Sequence, residues 1–139
     1  MSEAHSHAAH DNLTRNQALV MGSLERAKGP MSAYAILDDL RDEGVRAPLQ
    51  VYRALEKLVE LGAVHRLESI NAFVACRHGG CGDHDITAFT ICETCGKVAE
   101  VNDSKLAIQL EQLAKGQGFR VSKSTVELRG VCEACQAAA

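Results

Sequence analysis

The chain has 139 residues, 46% of them apolar and 24% charged, and 15 Lys+Arg against 18 Asp+Glu leave a net charge of −3. So much apolar surface excludes a disordered chain, and no run approaches the roughly 18 apolar residues of a membrane span. The acidic balance gives no bulk attraction for nucleic acid, so any DNA contact must come from a local surface. The polar start, MSEAHSHAAHDN, lacks the apolar stretch of a secretory signal. The chain is therefore expected in the cytoplasm, where six cysteines read as metal ligands or redox groups rather than a disulfide framework. With no Trp, two Tyr and three Phe, it has no aromatic platform for stacking single-stranded bases.

Residues 1–12 read as a flexible tail carrying His5, His7 and His10, a weak set of metal donors at best. From Leu13 to Ala27, Val20, Leu24 and Ala27 recur at helical spacing, and Gly29-Pro30 closes the segment. Ser32 is placed to cap a second helix whose stripe is Ala33, Ile36, Leu37 and Leu40, ending at Gly44. Pro48 suits the first position of a third helix. That helix turns Val51, Leu55 and Leu58 inward, with Ala54 and Leu61 beside them, and stops at Gly62. The period then becomes two: Ala63–Leu67 alternates, Ser69-Ile70-Asn71 can turn, and Ala72–Ala75 returns. Three helices and a hairpin make a winged helix-turn-helix.

Residues 77–83, Arg77-His78-Gly79-Gly80-Cys81-Gly82-Asp83, form a natural hinge linker, because clustered glycines disfavour regular structure. Beyond them come a strand over Ile86–Ile91, a short strand over Lys97–Val101, and a helix capped by Asp103 or Ser104 with Leu106, Leu110 and Leu113 on one face. A last strand pair over Phe119–Leu128 closes the chain. The fold class is thus α+β: a winged-helix domain over 13–76, the linker, and a small α/β domain over 84–139. The second domain is too small to be comfortable alone and needs staples or a partner.

Cys92-x-x-Cys95 and Cys132-x-x-Cys135 carry the strongest chemical signal. Each pair delivers two thiolates from one turn, at a separation that suits two corners of a tetrahedral zinc site. Four sulfurs close the coordination sphere, so such a zinc is structural. The competing reading is a thiol-disulfide protein, although redox CxxC motifs come singly at a helix start. His65, Cys76, His84 and Glu100 form a second potential set drawn from both domains, and none of the four persuades by itself. His78 and Cys81 are further candidate ligands, since Cys76, His78, Cys81 and His84 can also be drawn as a purely local site.

Leu13-Thr14-Arg15, Ser32-Ala33-Tyr34, Val51-Tyr52-Arg53-Ala54-Leu55, Ile91-Cys92-x-x-Cys95-Gly96-Lys97-Val98 and Gly130-Val131-Cys132-x-x-Cys135 together resemble the ferric uptake regulator family in order and spacing. Val64-His65-Arg66-Leu67-Glu68-Ser69, then Asn71 and Cys76, is similar to its zinc uptake regulator branch. Two departures stand out: Gln50 where Thr precedes Val-Tyr-Arg in the family, and the extra linker residues His78 and Cys81.

The resemblance implies a homodimeric repressor of zinc uptake genes that binds double-stranded operator DNA when zinc-loaded, with the second domain as the dimerisation domain. It implies two Zn2+ per chain. One is structural, on Cys92, Cys95, Cys132 and Cys135; the other is regulatory, on His65, Cys76, His84 and Glu100. An iron, manganese or peroxide sensor of the same family is the near alternative, and a zinc-stabilised interaction module without DNA affinity a more distant one. On the third helix the outward face presents Gln50, Arg53 and Lys57 with Tyr52 to the side, and Arg53 is placed to meet base edges. Tyr34 is expected against backbone or a thymine methyl, and Arg15 against phosphate. Neither metal set leaves an open position for water, so no enzyme activity and no small-molecule substrate are expected.

Overall fold

The computed structural model describes residues 13–76, 87–122 and 124–138. The chain divides into two compact units, Met1–Gly82 and Asp83–Ala139. The tail 1–12, the whole linker 77–83 and the residues that follow it to 86, and with them His5, His7, His10, His78, Cys81 and His84, lie outside the described residues.

In the first unit, α1 (Arg15–Arg26), α2 (Ala33–Leu40), a 3-10 turn (Arg41–Glu43) and α3 (Pro48–Glu60) precede the hairpin of β1 (Val64–Leu67) and β2 (Ala72–Ala75). Each helix starts where the local chemistry satisfies its free N–H groups. Thr14 and Gln17 form a reciprocal capping box on α1, and Ser32 Oγ accepts from the Ala35 N–H of α2 at 3.1 Å. Pro48 opens α3, and Gly44 at φ +93° turns the chain out of α2 as only glycine does without strain. One core unites the unit: Val20, Leu24, Ile36, Leu40, Val51, Leu55, Leu58 and Val64 are all at most 1% exposed. Each such side chain contributes about 1.5–3 kcal/mol of transfer free energy. Leu61, expected beside that core, is instead 48% exposed at the end of α3.

The hairpin pairs Val64 with Ala75 and Leu67 with Ala72, and Asn71 takes a positive φ at its tip. Met31, in the connection between α1 and α2, adds a third rung by exchanging both backbone hydrogen bonds with Phe73 (2.8 and 3.0 Å). The wing is thereby stitched to the start of α2. A polar latch joins α1 to α2: Ser23, 2% exposed, donates its hydroxyl to Asp39 Oδ2 at 2.6 Å, and the exposed Arg26 reaches the same oxygen at 3.1 Å. The Ser23 hydroxyl, and after it Arg26, hold the Asp39 carboxyl below its ordinary value. A depressed carboxyl stabilises the fold above the unfolded value of about 4 and loses that contribution as pH falls through the folded one. Ser23→Ala should destabilise the first unit by about 0.5–1.5 kcal/mol at pH 7, the net value of one hydrogen bond to a carboxylate that solvent partly screens. Urea unfolding at pH 7 and pH 3 checks this, the mutant and native midpoints converging in acid.

The second unit contains β3 (Thr87–Cys92), β4 (Val98–Asn102), α4 (Ser104–Gly116), β5 (Thr125–Gly130) and α5 (Glu133–Ala138). The sheet order is β4-β3-β5, with β4 antiparallel and β5 parallel to the central β3. Asp103 caps α4, its Oδ1 accepting from the Lys105 and Leu106 N–H groups. The expected strand pair over Phe119–Leu128 is a single strand: Phe119 follows a turn closed by Gly118 at φ +66° and is 66% exposed. Leu106 and Leu110 of α4 are half-buried, but Leu113 is 65% exposed, and the next half-buried position is Ala114. No residue of α4 is buried, and Val101, Ile108, Leu113 and Leu128 remain open on this unit.

Candidate metal centre and nucleic-acid interface

The parallel pairing of β3 with β5 places the end of each strand side by side, with Cys92 opposite Gly130. Each CxxC leaves the sheet from that same edge, so 36 intervening residues close without spanning any distance. After Cys92 the chain turns through Gly96 at φ +78°, which bonds back to the Cys92 carbonyl while the Cys92 N–H bonds Lys97. After Gly130, Cys132 opens α5, and Arg129 pairs with Glu93 at 3.2 Å across the two turns. The four sulfurs lie within 4.8 Å of one another, and Cys95 Sγ and Cys132 Sγ are 3.8 Å apart. A tetrahedron with metal–sulfur bonds of about 2.3 Å has edges of about 3.8 Å, so the cage fits zinc.

The thiols are electrically prepared for a cation. Cys92 Sγ accepts backbone N–H groups from Cys132 and from Cys95, each at 3.4 Å, and these bonds lower its pKa to about 5. Cys135 is pushed up to about 12, first by its contact with Cys132 and then by burial. One sulfur is thus a thiolate at neutral pH, whereas Cys135 must surrender its proton to a metal, so metal affinity falls as pH falls. Both pairs converge on one candidate cage that could hold a metal ion.

The second predicted set draws its residues from both units. In the first unit, His65 lies opposite Val74 on the hairpin, and Cys76 continues β2 with its N–H bonded to the Ala63 carbonyl at 2.9 Å. That register puts both side chains on one face, and their ligand atoms lie within 4.8 Å of one another. Cys76 is disulfide-bonded, so it becomes a thiolate ligand only on reduction. Glu100 sits on β4 of the second unit, opposite Phe89.

The third helix buries Val51, Ala54, Leu55 and Leu58 and turns Tyr52, Arg53 and Lys57 to solvent. Lys57 is engaged with Glu60 at 3.9 Å. Tyr34 is 63% exposed near the start of α2. Two predicted contacts have local work that the sequence did not reveal. Arg15 donates to the Glu43 carbonyl at 2.8 Å, tying α1 to the 3-10 turn, and Gln50 Oε1 accepts the Arg46 and Ala47 N–H groups at 3.2 and 3.3 Å. Gln50 is thus a capping residue at the start of α3. Its position three residues after Ala47, just inside a Pro-initiated helix, was the signal available beforehand.

The model of the ferric uptake regulator family matches residues 12–129. The zinc uptake regulation protein of Escherichia coli K12 is 36% identical over 124 residues, covering 88% of this chain and 72% of that protein. The ferric uptake regulation protein of Neisseria gonorrhoeae is 27% identical over 116 residues, covering 81% and 77%. Among solved structures, holo XcZur aligns with a TM-score of 0.83 at 36% identity over 99% of each chain. A zinc uptake regulator complexed with zinc and DNA aligns with a TM-score of 0.86 at 34% identity over 98% of this chain and 92% of that one.

Proposed function

Because this chain belongs to the ferric uptake regulator family, we propose that it is a zinc-responsive transcriptional repressor that binds operator DNA as a homodimer and controls zinc uptake genes. The observation that carries this reading is the likeness, along almost the whole chain, to a zinc uptake regulator holding both zinc and DNA. The open face of α3 supports it, since Arg53 and Tyr52 occupy the first two turns of a helix whose opposite side is core. Such a repressor works in the cytoplasm. No helix among the described residues is long and apolar enough to cross a membrane.

Two zinc ions per chain are proposed. Cys92, Cys95, Cys132 and Cys135 would hold the structural one. His65, Cys76, His84 and Glu100 would hold the regulatory one, with His78 and Cys81 as candidates to join or replace a ligand. When bound, zinc supplies a firm tie among its ligands and no reaction. One thiolate, two imidazoles and one carboxylate suit zinc better than the oxygen-rich shells of iron or manganese. His65 and Cys76 sit at the base of the wing, and immobilising them reduces the ordering that DNA binding otherwise requires. Metal and operator affinities are then positively coupled, by about 1–3 kcal/mol. Bidentate Arg53 contacts select guanine. Tyr34, Tyr52, Arg15 and Lys57 contribute contacts that position the heads on the duplex.

Duplexes selected from a random-sequence pool test the reading. With reductant and zinc, an inverted repeat with half-sites about one helical turn apart should emerge. Its affinity should fall steeply with salt and about 5- to 150-fold when a chelator strips the labile zinc. An enrichment that ignores zinc, or no enrichment, contradicts it.

A further inference from the structure

Helix α3 presents, on its solvent-facing side, a residue that the basic and amide residues overshadow. At 100° per residue, the buried stripe of Val51, Ala54, Leu55 and Leu58 has Leu49 on the opposite side of the helix, one turn before Arg53. Leu49 is 57% exposed, although it belongs to the first turn of a helix with a full core beneath it. Its neighbour Gln50 is held back at the helix start, where its side-chain oxygen caps Arg46 and Ala47. The first turn of α3 therefore offers an apolar tip where a hydrogen-bonding one was expected. Residues at the N-terminal end of a reading helix reach base edges. The one apolar group on those edges in the major groove is the C5-methyl of thymine.

We propose that Leu49 is a specificity-determining residue that packs on a thymine methyl in each half-site, adjacent to the guanine read by Arg53. The inference rests on the operator-binding reading above and adds a base preference to it. Leu49 and Arg53 are stacked about 6 Å apart along the helix, so the two bases lie within one or two steps of about 3.4 Å. The methyl leaves water against a leucine side chain more than half of which is open to solvent. Gln50 serves the helix, Arg53 reads guanine, and Leu49 reads thymine.

The test uses a duplex selected by the zinc-loaded full-length protein, with each thymine of the half-sites replaced in turn by deoxyuracil, which lacks only the methyl. For the wild type, one thymine within two steps of the Arg53-dependent guanine should weaken binding about fourfold per half-site when replaced, the effect of exposing about one methyl group. Leu49→Ala should bind the thymine and uracil duplexes equally, with zinc content and dimerisation unchanged. Gln50→Ala, which disturbs the helix start, should keep the discrimination. Equal affinity of the wild type for every uracil duplex, or discrimination that survives Leu49→Ala, overturns the assignment to Leu49 while leaving the repressor reading in place. Failure to select any duplex overturns the repressor reading and this inference with it.

Discussion

Replacing Cys95 or Cys132 by serine is expected to release the structural zinc and to unfold the second unit. The reason is the poverty of that unit's own core. Among the described residues its buried apolar side chains are Ala88, Phe89, Ile91 and Cys92, and α4 has no buried residue at all. Burial on that scale does not hold a unit of this size against backbone entropy. A four-thiolate zinc contributes apparent binding free energies of about 10–16 kcal/mol in small zinc domains, all of it available to folding. Three thiolates leave a weaker, open shell, and the cage at the Cys92–Gly130 edge no longer clamps the end of the sheet. Zinc per chain should fall by one, dimers should dissociate, and far-ultraviolet circular dichroism should lose the β3–β5 signal. Acid should mimic the mutation, because Cys135 and then, near pH 5, Cys92 take up protons that compete with the metal. Cys76→Ser, by contrast, should retain the structural zinc and the dimer.

The second large effect is expected at Arg53. Removing a bidentate guanine contact costs about 1–3 kcal/mol of discrimination per half-site. A symmetric dimer loses it twice, so Arg53→Ala should lower operator affinity by about 2–6 kcal/mol, roughly 30-fold to more than 10,000-fold. Arg53→Lys should recover little, since an ammonium lacks the planar fork. The side chain is exposed and outside the core, so zinc content and thermal unfolding should be unchanged. Lys57→Ala provides the comparison: a charge already facing Glu60 should weaken all duplexes alike and reduce the salt slope by about one per head. Fluorescence anisotropy at several salt concentrations separates the two.

Much of the first unit is readable from local rules. Val51, Ala54, Leu55 and Leu58 follow helical spacing, Ser32 and Pro48 mark helix starts, and Gly44 marks a stop. The Met31–Phe73 rung was not readable, because one extended residue between helices carries no period. In the second unit the CxxC spacing announced a cage, but the reason it closes is the parallel β3–β5 register. That is a non-local pairing which turn chemistry does not encode. Leu113 and Phe119 show the limit of spacing alone: a helical face and an apolar strand start are readable, but both side chains stay largely exposed in this unit. Gln50 has a second task beside the predicted DNA contact, since its side-chain oxygen also caps the start of α3. The second metal set was legible only through family resemblance, with His65 and Cys76 sharing one face of the hairpin.

The most direct test counts zinc per reduced chain during a chelator titration while operator affinity is followed in the same samples. Two zincs per chain are expected. The first to leave should depend on His65 and Cys76, and its loss should lower affinity about 5- to 150-fold while the four-cysteine zinc and the dimer persist. A single inert zinc, with operator affinity unchanged from excess metal to excess chelator, would contradict it.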